Sequence, residues 1–330
     1  MPRSNVELEP IQLHTIAQAF DLGAVTASRH TGKVYRLHAQ SGIFALRFYN
    51  TEATRAHVEA TQTVRRTLAA AGLPIAISIS TRVGTTIIEW KGLLCELQPW
   101  IAHTTDGGSW ANLVTAGAAL RHVHDHLVDC AALPDQRDDP WRTPASLAEQ
   151  LAADAAALRY QARQSGVVID PYLDRAAAIL DVLHAGGLLE ACPPCLTHGD
   201  FQGPNLLFRE HALAAIIDFE RLEIRPRLYD LAWPFVFWRW FGSEEGAYTD
   251  RDWRYARACC EAYATAAPAA LGDREWITLP LLMAYIPARG IATAAGEVAP
   301  IEEILAFAKA LDFAMWLVQH PDTALARLST

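Results

Sequence analysis

The spacing of apolar residues changes character near Pro99, and that change predicts two different kinds of structure along one chain. Before it, the apolar positions come in short runs rich in β-branched and aromatic residues: AVTASRH (24–30), KVYRLHAQ (33–40) and IFALRFYN (43–50), broken at Gly32 and Gly42. Short runs bounded by turn residues predict a small antiparallel sheet. TEATRAHVEATQTVRRTLAAAGLP (51–74) has helical periodicity and predicts a helix ending at Gly72 and Pro74. IAISIS (75–80), TTIIEW (85–90) and GLLCELQP (92–99) predict further strands.

After PWIAHTTDGGS the apolar residues recur at helical spacing. This predicts helices from Trp110 to Asp129, Ala145 to Ser165 and Tyr172 to His184. The polar loop LTHGDFQGPNLLF (196–208) interrupts them. A hairpin follows, from LLF (206–208) and LAAIIDF (213–219), and helices are predicted again near 250–267, 273–296 and 300–319. Alanine-rich LAADAAAL (151–158) is helix-forming rather than a linker. The expected fold class is therefore α+β. A small antiparallel β-sheet lobe with one helix, 1–97, joins a larger, mainly helical lobe, 98–330, through a connector near 95–100. Ligand sites favour clefts between such lobes.

Composition narrows the function classes. With 330 residues, 51% hydrophobic and 20% charged, the chain is globular and large enough for two cores. A formal net charge of −9 argues against the basic surface that nucleic acid requires. The opening MPRSNVELEPIQLH has no apolar run of signal-peptide length. WITLPLLMAYIPA (276–288) carries two prolines and ends at Arg289, which reads as too short for a bilayer. The expectation is a cytoplasmic protein with neither nucleic-acid nor membrane partners. CPPC (Cys192, Cys195) has the spacing of half a zinc site, but no second pair follows, and Cys259–Cys260 does not supply one.

Chemistry concentrates in the polar loop. His198, Gly199 and Asp200 are followed by Asn205 in the pattern D-x-x-x-x-N, and Asp218 closes the apolar strand of IIDFE. Phosphoryl transfer from ATP needs such parts. One carboxylate orients the attacking hydroxyl and accepts its proton, while an amide oxygen and a second carboxylate hold magnesium on the phosphates. Magnesium takes hard oxygen ligands, which Asn and Asp supply. Asp, Asn, Gly and Pro also form turns without any chemistry, but the joint spacing with Asp218 favours the chemical reading. No G-x-G-x-x-G, G-x-x-x-x-G-K-[ST] or G-x-S-x-G pattern is present, so Rossmann, P-loop and common serine-hydrolase readings have no support.

THGDFQGPNLLF followed by AAIIDFERLEIRPRLYDLAWPF resembles the aminoglycoside phosphotransferase and choline kinase family, to which the type II homoserine kinases belong. The resemblance implies a protein-kinase-like bilobal fold. It also implies transfer from ATP (or GTP), with Mg2+, to a hydroxyl of a small molecule. Gly199 stands where protein kinases usually have arginine and favours that small-molecule branch. Carried over by position, Asp200 is the catalytic base and Asn205 and Asp218 are the metal ligands. His198 belongs to the catalytic loop and braces it rather than reacting, and Asp230 of LYDLAW hydrogen-bonds the loop backbone. RHTGKVYR (29–36), with Gly32 and Lys33, takes the place of the loop over the phosphates. Arg47 of FALRF takes the place of the phosphate-binding lysine, keeping the charge with a different geometry. Glu59 is the implied ion-pair partner of Arg47, and the backbone from Glu96 to Gln98 in CELQPW the implied reader of the purine edge. Plainer readings stay open: Arg47 as a surface strand residue, Glu59 as an exposed helix carboxylate, Lys33 as a solvated turn residue.

His122 and His126 of RHVHDHL share a helical face, but two ligands do not make a metal site. WPFVFWRWF (233–241) reads either as core or as an aromatic cage for a quaternary amine. Glu244, Glu245, Asp250, Asp252 and Glu261 suit an amine-bearing acceptor, or simply a solvated helix face. The function expected is an ATP-dependent kinase, monomeric or homodimeric, of a small polar, amine-bearing alcohol: an aminoglycoside, a choline-like or a homoserine-like compound. The alternatives are a nucleotide-binding pseudokinase, motivated by Arg47, and a protein Ser/Thr kinase of the same fold.

Overall fold

The computed structural model describes residues 10–31, 33–50, 53–128, 130, 143–189, 192–241, 248–267, 271–296 and 301–329. Its small lobe opens with α1 (Pro10–Ala19), then β1 (Val25–Arg29), β2 (Val34–Ala39), β3 (Gly42–Phe48), α2 (Arg55–Ala70), β4 (Ile88–Trp90) and β5 (Leu93–Pro99). The strands form one five-stranded antiparallel sheet in the order β1-β2-β3-β5-β4.

Alternation along the strands gives this sheet two different faces. Tyr35, Leu37, Leu46, Phe48, Cys95 and Leu97 pack against Leu13, Ile16, Ala17 and Phe20, contributed by α1 and the turn after it. Val34, Arg47 and Glu96 make a cross-strand row on the other face. The sequence predicted α2 but not α1, which covers the apolar face and so depends on the sheet being there. α2 is capped by Thr54, whose Oγ1 accepts from His57 N–H at 3.2 Å.

The strand predicted over 75–80 is not a ladder strand. Ile75 bridges Ile216 in the large lobe and Ile79 N–H donates to Leu97 O at 2.8 Å, so the segment divides its backbone bonds between lobes. Only Ile88–Trp90 of the predicted 85–90 strand is regular.

The large lobe begins with β6 (Thr105–Asp106), α3 (Trp110–Leu127), α4 (Pro144–Gln164) and α5 (Asp170–Gly186). β7 (Pro194–Thr197), β8 (Leu206–Arg209), β9 (Ala212–Ile216) and β10 (Glu223–Pro226) follow, with single 3-10 turns at Gly203–Asn205 and Phe219–Arg221. β6, β8 and β9 form one small sheet, and β7 pairs with β10. α6 (Tyr229–Phe241), α7 (Asp250–Thr265), α8 (Asp273–Gly296), α9 (Ile301–Ala308), α10 (Leu311–Gln319) and α11 (Pro321–Leu328) complete it. The single helix predicted over 300–319 is two helices, α9 and α10.

α8 corrects another expectation. It runs 24 residues through Pro280 and Pro287, and by length and composition it is apolar enough to cross a membrane. Its apolar window is 78% buried inside the protein, packed by α4, α5, α6 and α10. Its hydrophobicity is spent on the core. In the aromatic run 233–241, Trp233 and Phe235 are likewise core residues; the side chains of 237–241 lie outside the described residues.

Candidate active site

The loop after β7 is held by one buried carboxylate. β7 and β10 pair Thr197 with Glu223 and Leu196 with Ile224, which brings His198 to the base of α6. There the fully buried Asp230 accepts from Gly199 N–H (2.8 Å), His198 N–H (2.6 Å) and His124 Nε2 (3.0 Å). Nδ1 of His124, itself fully buried on α3, meets Tyr263 Oη at 2.7 Å. Burial works against the charge on Asp230, but His124, then His198 and the Gly199 amide, hold its carboxyl below the usual range. Gly199 has φ of 77°, and a Cβ there would run into the Arg221 carbonyl. His198 spends its ring on the loop itself. Nε2–H donates to Ile217 O (3.0 Å), and Nδ1 accepts from Asp200 N–H (3.3 Å).

Asp200 and Asn205 meet through their side chains, and the hairpin brings the backbone before Asp218 alongside Asn205. β8–β9 pairs Leu206 with Ile216, and Ile217 N–H extends the ladder to Asn205 O at 3.0 Å, one residue before Asp218. Asn205 Nδ2 donates to Asp200 Oδ2 (3.0 Å) and Asp200 O (2.8 Å), while Gln202 Nε2 donates to Oδ1 (2.8 Å). Both Asp200 oxygens are thus aimed by amides, and Asn205 presents its Oδ1 as an acceptor. Asp218 has φ of 66°, a left-handed conformation that few non-glycine residues adopt.

Arg47 reaches this loop from the sheet lobe. Its Nη2 donates to Asp218 Oδ1 at 2.5 Å and its Nε to Glu220 Oε1 at 3.0 Å. Burial opposes the Arg47 charge, but Asp218 and Glu220 more than offset it and hold the guanidinium well above its ordinary pKa. In turn, burial pushes Asp218 up, but Arg47 holds its carboxyl below the usual range.

Other expected residues fall elsewhere. Glu59 is exposed and does not pair with Arg47, because α2 turns Val58, Thr61, Gln62, Val64, Arg65 and Leu68 inward instead. Gly32 lies outside the described residues. Lys33 is half-buried in a tight turn in which the His30 and Thr31 amides both donate to Val34 O.

Glu96 and Gln98 do not present a free backbone edge to a purine. Tyr49 N–H to Leu94 O and Trp100 N–H to Ile43 O set the parity of the β3–β5 ladder, so the Glu96 and Gln98 backbone groups point at β3. Leu97 O is taken by Ile79. The Glu96 side chain is instead the polar hub of the small lobe. It is fully buried and accepts from Tyr49, Gln62, Arg65, Ser78 and Gln98. The connector leaves the sheet at Trp100, whose ring lies 4.9 Å from Arg36 Cζ.

The acidic residues proposed for an amine do not gather. Asp252 is buried in the α7 capping box and accepts from Trp110 Nε1, Asp250 and Glu261 are exposed, and Glu244 and Glu245 lie outside the described residues. His126 Nδ1 is bonded to His122 O at 2.8 Å. Sequence reasoning missed Gln202 and Glu220, although both stand two residues after an aspartate it had singled out.

Asn205 and Asp218, whose backbones the Ile217–Asn205 bond brings side by side, offer an amide and a carboxylate as hard oxygen donors. They suit a magnesium ion, which takes much of its octahedron from phosphates and water. Among the described residues no three His, Cys, Asp or Glu side chains form a self-contained metal cage.

The model of the phosphotransferase enzyme family matches residues 26–270, from the first strand through α7. An aminoglycoside phosphotransferase from Alicyclobacillus acidocaldarius superposes with a TM-score of 0.68 at 17% identity, covering 99% of this chain and 97% of that one. Amicoumacin kinase, in complex with AMP-PNP, Ca2+ and Ami, gives 0.67 at 12% identity over 93% and 94% of the two chains. Spectinomycin phosphotransferase, in complex with ADP and spectinomycin, gives 0.63 at 14% identity over 95% and 100%. At such identities the likeness is one of fold: bilobal, protein-kinase-like and α+β. No curated protein matches the sequence. With the family match spanning the sheet lobe and the polar loop of the large lobe, the chain belongs to the phosphotransferase enzyme family.

Proposed function

We propose that this protein transfers the γ-phosphoryl group of ATP, with a divalent cation, to a hydroxyl of a small polar, amine-bearing molecule. The Asp200–Asn205 contact, with Asp218 brought alongside by the hairpin and held by Arg47 from the sheet lobe, carries this reading. Asp200, aimed by Gln202 and Asn205, orients the acceptor hydroxyl and takes its proton as the new O–P bond forms, the γ-phosphorus bond to the bridging oxygen breaks and ADP leaves. Asn205 and Asp218 would hold magnesium, which supplies neutralising charge to the donor phosphates. Arg47 adds a fixed cation from the sheet, and Asp230 keeps the loop from shifting under the charge of the donor. The nucleotide complexes of amicoumacin kinase and spectinomycin phosphotransferase support a nucleotide donor. Their acceptors, and the aminopropanol kinase of the same fold, support a small polar acceptor.

The test is transfer of label from γ-labelled ATP to a panel of aminoglycosides and amino alcohols, with Asp200→Ala as control. Label should appear on one acceptor class. Asp200→Ala should lower kcat by about 100-fold or more while ADP affinity stays within about threefold. A parent protein that binds ATP but labels no acceptor, or an Asp200→Ala variant as fast as the parent, refutes the proposal.

A further inference from the structure

We infer, resting on that kinase reading, that Glu220 is the positioning residue for Arg47, in the place that sequence order gave to Glu59. Glu220 Oε1 receives Arg47 Nε at 3.0 Å and Nη2 at 2.8 Å, so it grips one edge of the guanidinium. Asp218 Oδ1 takes the same Nη2 at 2.5 Å. Both carboxylates belong to one short segment of the large lobe, and the acid expected from α2 is exposed.

Glu220 stands on a rigid base. Its 3-10 turn, Phe219–Arg221, is anchored by the buried Phe219, whose ring centroid is 4.5 Å from that of His198. Its own carbonyl meets His57 Nε2 of α2 at 3.2 Å. α2 therefore touches the Arg47 anchor through a backbone contact rather than by a charge of its own.

This arrangement gives a reason for arginine where lysine is usual. A guanidinium offers donors on a planar fork, so one edge can be held while Nη1 remains for a phosphate; an ammonium is a single point. It also separates two duties. Asp218 would be shared between Arg47 and a metal ion, whereas Glu220 would leave Arg47 with an anchor of its own. Arg47 and Glu220 should therefore act as one unit toward the donor nucleotide.

A double-mutant cycle tests this. ADP binding is measured by calorimetry, with Mg2+ and with EDTA, on the parent, Glu220→Gln, Glu59→Gln, Arg47→Ala and the Arg47→Ala/Glu220→Gln pair. Unfolding midpoints are recorded alongside. Glu220→Gln should weaken ADP about tenfold in the parent background and less than about twofold in the Arg47→Ala background, because contacting residues are non-additive. Glu59→Gln should change it by less than about twofold. Glu220→Asp, which keeps the charge at a shorter reach, should fall between parent and Glu220→Gln. The ATP KM should rise in Glu220→Gln more than kcat falls. Equal losses from Glu220→Gln in both backgrounds, or a larger loss from Glu59→Gln, overturn the assignment while leaving the kinase reading intact. A parent that binds no ADP overturns both.

Discussion

Gly199→Ala puts the shape of the loop that carries Asp200 to a direct test. The residue has φ of 77°, and its N–H must donate to Asp230 in that conformation. Placing a Cβ there costs about 1–2 kcal/mol in backbone energy alone. The Cβ would also strike the Arg221 carbonyl oxygen, with the carbonyl carbon at 2.9 Å and Arg225 Nη1 at 3.1 Å. Neither neighbour retreats easily. Arg221 ends the turn that carries Glu220, and Arg225 is buried, paired with Glu223 and stacked on Tyr229. Overpacking of this kind costs about 1–3 kcal/mol. The combined loss of about 2–5 kcal/mol corresponds to a fall in Tm of about 3–7 °C for a chain of this size. The part of the clash relieved by moving the loop displaces Asp200, and a misplacement approaching 1 Å costs on the order of 100-fold in kcat. Scanning calorimetry and steady-state kinetics on the same preparation measure both losses. A variant that melts with the parent and turns over at the parent rate would refute the claim that this backbone contact shapes the site.

Asp230→Asn should destabilise the protein by about 2–3 kcal/mol in urea unfolding, because one buried acceptor becomes a donor facing an N–H; an unchanged midpoint would contradict the hub role of Asp230. Acid should expose the charge on Glu96. Burial pushes this carboxyl up from its ordinary 4.5, but Arg65, then Ser78 and Tyr49, hold it down at about 2. A depressed folded-state pKa gives stability that is complete above the ordinary value and is lost as pH falls through about 2, here about 3 kcal/mol. Denaturant midpoints taken from neutral pH to pH 2 should fall for the parent and fall less for Glu96→Gln, which starts lower because it strands Arg65. Equal slopes would mean that Glu96 does not carry the acid sensitivity.

Features that depend on neighbours in sequence were legible before any coordinates. Alternation and turn glycines located β1 to β3, and helical spacing located α2, α3, α4, α5, α7 and α8. Asp200, Asn205 and Asp218 could be read together because they lie on one loop and hairpin, where the local ladder from Leu206–Ile216 sets their approach. Helix α1 was not legible, since its reason for being helical is the apolar sheet face made by later strands.

The sharpest division falls at Arg47. Sequence order placed Arg47 on a strand followed by the helix α2, and the family resemblance made Glu59 of that helix its expected partner. Only the packed structure decided that the inner face of α2 would be committed to Glu96 through Gln62 and Arg65. It also decided that Arg47 would find its anions across the cleft, 171 and 173 residues away at Asp218 and Glu220. The physical reason is desolvation. A guanidinium withdrawn from water must be paired, and which carboxylate lies within reach is settled by how the lobes close, not by the distance between residues along the chain.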